Sequence, residues 1–514
     1  MAIVLAGLAL RARHWDRPLG SECGHQSQII LYSTARVLHE SGWWATGGTL
    51  LFDSLPAEAH VLAGGEQIYR SNSALPAFLL AVFMHAAGDL QDGARWFGIT
   101  GSLAALTLLL TAWRPLGWRN LVVAGLFAIV PAEVHFSRYP WMFSWETALA
   151  IATFLSLERY RTRGGAAPFA VLCALLFVGA LFSWHVVAVL AVTLLALSLD
   201  GGRPRLLRLA ACAACASSAI LGVLPWVACV AARTGTDICA YIADRFLLRT
   251  NLLEADQQAP AGWEVLRQVF VERQEAFVTP ALAWLALAWV PIGLIGLRTK
   301  ADRLPLYAFG TAAVFLGGLY EATYHHVWFN YYSALWSCLA GATVLGVLVR
   351  PGRGIGVRRA LAVAWAAVFA WQAVQARERL ASLQYVPSHA DEIRFLQQVP
   401  GRCGPTERVA TNDDFGGPRR DGDVMRASST RECAMHRLCE YGVADLPRFR
   451  AFLASPGAAL FYFRKGKGSN RPASLLLMRH LRATYARVAV DVHGEMFDLR
   501  RRFEDVGYRA QSGR

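Results

Sequence analysis

Residues 95–163 read RWFGITGSLAALTLLLTAWRPLGWRNLVVAGLFAIVPAEVHFSRYPWMFSWETALAIATFLSLERYRTR. Three apolar runs, near residues 95–113, 119–135 and 144–157, are separated by connections of opposite character. The first connection holds Arg114 and Arg119, the second is FSRYPWMFSW with Arg138 as its one basic residue, and Arg159, Arg161 and Arg163 close the stretch. Runs of this length cross about 30 Å of hydrocarbon at ~1.5 Å per helical residue. Lys and Arg accumulate in cytoplasmic connections, so the stretch reads as inside, outside, inside.

The same pattern extends outward from these three runs. Further apolar runs lie near residues 167–181, 184–199, 207–231, 278–296, 304–320, 330–349 and 356–375. The opening MAIVLAGLALRAR adds one more, and with it the runs number eleven. It lacks both the basic start and the small-residue cleavage site of a signal peptide. Its apolar core is short for a crossing, so it reads as the end of a first spanning helix that starts upstream. No alternating β pattern is present, and every backbone polar group in a bilayer needs an internal partner, so the runs are expected to be helices.

Basic connections recur at Arg203, Arg205 and Arg208, at Arg298, Lys300 and Arg303, and at Arg350, Arg353, Arg358 and Arg359. The intervening FSWH and YEATYHHVWFN contain neither Lys nor Arg and belong outside. This parity forbids counting ALPAFLLAVFMHAAG, residues 74–88, as another span. It is placed as a juxtamembrane helix in the outer interface, inside one large external loop of residues 13–94. A second external loop, residues 232–277, reads as an amphipathic helix on the membrane surface, with Trp263, Leu266, Val269, Phe270 and Phe277 near one face.

Composition divides the chain into a membrane module, residues 1–376, and a tail, residues 377–514, where charge is scattered throughout. The whole is 55% hydrophobic, which argues against a purely soluble protein. The formal charge is +14, and the basic residues before residue 376 sit mostly between apolar runs, where they mark topology. Basic stripes interleaved with exposed aromatics are missing, which excludes nucleic acid as a partner. AALFYFR and RVAVDV read as strands and HADEIRFLQQV as a helix, so the tail is expected to be an α/β or α+β soluble domain on the extracytoplasmic side. Cys173, Cys212, Cys215, Cys229 and Cys338 lie inside apolar runs and act as small hydrophobes. Cys403, Cys433 and Cys439 belong to the tail, where an oxidising compartment suits one disulfide whose pairing the sequence does not specify.

Ionisable residues gather on the outer side, whereas the inner side carries almost only Arg. The first external loop holds Glu22, His25, Arg36, His39, Glu40, Asp53, Glu58, His60, Glu66 and Arg70. The later outer turns add Glu133, His135, Arg138, Glu146, His185, Glu321, His325 and His326. Ionisable groups at the ends of apolar helices are costly and commonly line a water-filled cavity. Solvation explains each one singly, but solvation does not require the asymmetry between faces. A helix from about Gln28 to Glu40 is expected to lie on the membrane through Ile30, Thr34, Val37 and Leu38, with Arg36 and Glu40 turned to water.

The order of these features resembles the C-type glycosyltransferases, polytopic enzymes that take a sugar from a polyprenyl-phosphate donor. STARVLHESGWW stands where the family carries an "AR" helix after an acidic first-loop residue. NSALPAFLLAVFMHAAGD stands as its juxtamembrane helix, GARWFGITGSLAALTLLL as its second span, and VPAEVHFSRYPWMFSWE as its Pro then Ser-Arg stretch. The likeness covers residues 1 to about 375 and looks nearest to the protein mannosyltransferase and lipid A aminoarabinose transferase branches, family 39 in type. The first-loop Asp of the family is represented here by Glu22, with Asp53 as a rival, and its double proline by Leu75 and Pro76.

The resemblance implies an inverting transfer to a lipid, glycan or protein acceptor, with Glu22 or Asp53 as the general base. A carboxylate near a membrane surface is desolvated, which suits it to accept a proton. The leaving lipid phosphate calls for cations, and His25, Arg70, Arg138, Arg245, His325 and His326 are the candidates, with Arg249 beside Arg245. No metal-ligand spacing is recognised, so no metal is assigned, and a divalent cation is left open. Arg-rich, Ala-rich usage points to a bacterial inner membrane with the tail in the periplasm. A lipid or polysaccharide transporter or flippase is the first alternative; it calls for helices broken at mid-membrane and two similar halves. A non-catalytic membrane scaffold of the same fold is the second, and it would tolerate loss of Glu22.

Overall fold

A computed structural model describes, apart from isolated positions, residues 2–12, 26–51, 68–112, 118–249, 271–296, 303–319, 331–348, 355–383, 408–412, 443–464, 472–490 and 494–502, together with Trp15, Trp263, Arg267 and 439–440. The apolar runs are helical over their described residues, although not always as one helix per run. The first is α1 (Ala2–Ala12). The external loop that follows contains α2 (Gln26–Ser41), a short antiparallel pair β1 (Leu50–Leu51) and β2 (Ile68–Tyr69), and α3 (Leu75–Ala87). Pro76 suits the first turn of α3, where a missing N–H costs nothing.

α4 (Leu90–Leu110) starts on Asp89, whose carboxylate accepts from the backbone N–H of Gln91 and Asp92. α5 (Trp118–Ile129) is cut short by Pro131, which opens the six-residue α6 (Pro131–Phe136). The run read as one span over 119–135 is therefore two helices, because a proline cannot donate to the preceding turn. There follow α7 (Phe143–Arg163), α8 (Ala166–Phe182), α9 (Val186–Ser198) and the 30-residue α10 (Arg205–Thr234).

α10 continues past the point where the second external loop was expected to begin. It leads to α11 (Ile238–Arg249), and α12 (Arg273–Phe277) ends the loop. Most of the amphipathic helix expected between them lies outside the described residues, and Trp263 is 75% exposed. α13 (Pro280–Gly296), α14 (Leu304–Ala313), α15 (Tyr331–Leu348) and α16 (Ile355–Leu383) complete the bundle. α14 runs into a π-helical turn, Val314–Gly318.

One continuous apolar core joins α1–α5, α7–α10 and α13–α15. Among the described residues two helices, α4 and α10, are long and apolar enough to cross a membrane, and seven shorter apolar helices accompany them. α10 leaves Leu206, Leu207, Leu209, Ile220, Leu221 and Leu224 half or more exposed, a contiguous apolar surface that the bundle itself does not cover.

The tail builds a mixed sheet in the order β4 (Cys439–Glu440), β3 (Arg408–Thr411), β5 (Ala458–Arg464), β7 (Gly494–Arg502), β6 (Tyr485–Val490). β3 runs parallel to β4 and β5, whereas β7 runs antiparallel to β5 and β6. α17 (Leu446–Leu453) and α18 (Pro472–Thr484) contribute Phe449, Phe452, Leu477 and Leu481 to a separate core with Phe461, Phe463 and Phe497. The expected strands AALFYFR and RVAVDV are β5 and, within Tyr485–Val490, β6; HADEIRFLQQV lies outside the described residues, as do Cys403 and Cys433 and the side chain of Cys439.

Candidate active site at one end of the helix bundle

The break at Pro131 determines where the polar groups go. It ends α5 and opens α6, and α7 follows within seven residues, so Glu133, His135, Arg138 and Glu146 stand on consecutive segments at one end of the bundle. All four are buried, at 7% exposure or less. The approach needs Gly98 on α4: a Cβ there would stand 2.4 Å from the carbonyl oxygen of Ser137 and 2.5 Å from that of Tyr139.

Glu133 belongs to a first buried cluster. Arg11, at the end of α1, donates from Nε to Ser102 Oγ at 2.7 Å and from Nη1 to the carbonyls of Gly7 and Ala128, each at 3.0 Å. Its Nη2 lies 3.7 Å from Glu133 Oε1. The phenol of Tyr331, at the start of α15, donates to Glu133 Oε2. One guanidinium and one carboxylate thus balance inside the protein, as buried ions must. Arg138 Nη2 donates to the Leu10 carbonyl at 2.6 Å and ties the end of α1 to the same turn.

A second cluster adjoins the first through consecutive tyrosines. Glu146 Oε2 lies 2.8 Å from His185 Nδ1, in the turn before α9, and accepts from the hydroxyl of Tyr332 at 3.2 Å. Aromatic rings enclose the imidazole: Phe143 stacks on it at 5.9 Å, Phe315 meets it edge-on at 5.6 Å, and Trp184 abuts it at 4.4 Å. Glu146 Oε1 has no hydrogen-bond partner among the described residues. The start of α15 therefore holds two carboxylates, one through each phenol.

The helix ends read from the basic connections as outer meet each other, and so do the inner ones. Besides the two clusters, Thr279 donates to Gln372 and Ser333 to Gln274, all four at or near ends assigned outside. Gly47, with φ +57°, lets the first-loop turn pack on the guanidinium of Arg233 at the outer end of α10. At the opposite ends Arg161 donates to Tyr307 at 2.6 Å, Tyr307 to Glu158 at 2.8 Å, and Arg203 lies over the Tyr160 ring at 3.9 Å while donating to the Tyr160 carbonyl.

α2 departs from its expected setting. Ile30, Leu31, Tyr32, Thr34, Ala35, Val37 and Leu38 are all buried, so the helix is enclosed rather than laid on a surface by one stripe. Arg36 is 8% exposed and bonds Glu40 at 2.7 Å, so it is not turned to water. Enclosure of an Arg requires a partner, and the i,i+4 carboxylate provides it. His39 meets the ring of His85 of α3 at 4.1 Å with the planes tilted by 46°, and burial together with the His85 charge lowers the His39 pKa.

Of the residues singled out from the sequence, Arg138 is brought into the clusters and Arg70 is half-buried directly after β2. Arg245 is on α11, with its side chain outside the described residues. Glu22, His25, Asp53, His325 and His326 lie outside the described residues. Among the described residues no group of three or more His, Cys, Asp or Glu could hold a metal. Arg11, Ser102, Tyr331 and Tyr332 were not anticipated; the signal for Arg11 was a charge at the end of an apolar run, which reads equally as snorkelling.

No family model and no curated protein matches the chain. Its fold is that of ArnT from Cupriavidus metallidurans. The crystal structure of that protein bound to undecaprenyl phosphate superposes with a TM-score of 0.64 at 14% identity, covering 97% of both chains. The apo form gives 0.60 at 12%, again over 97% of both chains.

Proposed function

We propose that the chain is a membrane glycosyltransferase that takes a sugar from a polyprenyl-phosphate donor at the extracytoplasmic face and passes it, with inversion, to a lipid, glycan or protein acceptor. The observation that carries this reading is the end-to-end likeness to a structure bound to undecaprenyl phosphate. The gathering of carboxylate, guanidinium, imidazole and phenol groups at one end of the bundle supports it, since such groups are retained in apolar surroundings where they serve a site.

In this reading Glu22 in the first loop is the general base, with Asp53 as its alternative, and the two buried clusters form the floor beneath them. His25, Arg70, Arg138, Arg245, His325 and His326 stabilise the phosphate as the bond to the sugar breaks. Residues 1–376 form the membrane module of an inner-membrane protein with eleven spans, and residues 377–514 a periplasmic domain.

The test is turnover by the purified protein in proteoliposomes loaded with a polyprenyl-phosphate sugar and supplied with envelope lipid, glycan and protein as the source of acceptor. Release of free polyprenyl phosphate with loss of the sugar supports the transferase. Movement of intact donor between leaflets without consumption would mark a transporter, and neither would mark a scaffold.

A further inference from the structure

Helix α18 packs one face on the sheet of the tail and leaves the other uncovered. Ser474, Leu477, Met478 and Leu481 are buried, while Leu475 is 45% and Leu476 54% exposed. At 3.6 residues per turn, Leu475, Leu476, Arg479 and Arg482 share the outward face. The apolar pair occupies its first half and the cations its second. Arg487, on the neighbouring strand β6, adds a third guanidinium, 46% exposed.

The one carboxylate among these groups is Glu495, 1% exposed and bound by both Arg482 and Arg487. The patch therefore keeps a positive excess beside two bare leucines. That combination is poor for a surface facing water alone, because nothing among the described residues covers the leucines or neutralises Arg479. It matches the headgroup boundary of an anionic bilayer, where leucine side chains enter the acyl edge and arginines pair with phosphate. The same chain carries the helices read as spans, so the sheet is covalently tethered to the bilayer they would occupy.

We propose that the exposed face of α18 is a docking surface for anionic lipid headgroups, holding the tail against the membrane in which the helices sit. This rests on the membrane reading of the helices and not on the sugar transfer.

The test places photoreactive benzoylphenylalanine at position 476 of the full chain in nanodiscs, with exposed position 448 on α17 as reference. Arg482 is left intact because it partners Glu495. In phosphatidylglycerol discs position 476 is expected to yield lipid adducts, reduced about fivefold by Arg479→Glu and reduced likewise in uncharged phosphatidylcholine discs. Adducts confined to peptides of this chain or of a second copy would overturn the proposal. So would yields at 476 that equal those at 448, or that ignore both lipid charge and Arg479→Glu. Donor turnover by the Arg479→Glu protein is expected to persist, which separates failure of this surface from failure of the transferase reading.

Discussion

Arg11 and Glu133, brought together from α1 and α6, face each other at 3.7 Å with side chains almost wholly excluded from solvent. Neither ion would be tolerated alone there. Arg11→Met is expected to destabilise the protein by about 3–5 kcal/mol, because it leaves Glu133 buried and uncompensated. Arg11→Met combined with Glu133→Gln should recover a good part of that loss. Thermal unfolding in detergent measures both, and additive losses would show that the pair is not a coupled unit.

Gly98 gives the second prediction. Gly98→Ala would press a methyl group into the Ser137 and Tyr139 carbonyls, which belong to backbone and cannot rotate away. A cost of about 1–3 kcal/mol is expected. Gly201→Ala, where nothing lies within 4 Å, serves as the control and should change stability by under about 0.5 kcal/mol. Equal unfolding temperatures for the two variants would contradict the close approach of α4 to the Arg138 turn.

The pair His39 and His85 makes the α2–α3 contact sensitive to pH. Burial, and then the His85 charge, holds the His39 pKa below its ordinary 6.5, with Glu40 pulling the other way. A lowered histidine pKa means that the separated helices bind the proton more readily than the packed ones. The contribution is therefore complete above pH 6.5 and is lost as pH falls below it. Hydrogen exchange over residues 26–41, corrected for its intrinsic pH dependence, should rise on acidification in the native protein and less so in His39→Phe. Exchange that falls in acid would contradict this.

Much of this fold is legible in the sequence because long apolar runs have one solution in a bilayer, and because the arginines of short connections fix parity. Glu133, His135, Arg138, Glu146 and His185 could be placed at outer helix ends for that reason. Their partners could not. Arg11 meets the Ala128 carbonyl across 117 positions and Tyr331 meets Glu133 across 198, and no local pattern encodes such pairings. Arg36 misled because charge at a helix surface ordinarily means water, whereas α2 packs on β1, β2 and α3, which lie further along. The sheet order of the tail was equally hidden, since β3 pairs in parallel with strands far from it in sequence.

Sidedness is testable with the native thiol beside Glu22. A variant retaining Cys23 as its sole cysteine should react with a membrane-impermeant maleimide in intact spheroplasts. One carrying Arg163→Cys instead should react after permeabilisation. The reverse pattern would invert every connection and remove the first loop from the donor leaflet.

The most direct measurement compares donor turnover by Glu22→Gln and Asp53→Asn with the unchanged protein. A first-loop carboxylate acting as base predicts that one of the two substitutions lowers turnover about a hundredfold or more while the protein remains folded. Two variants that both turn over donor at the unchanged rate would contradict it.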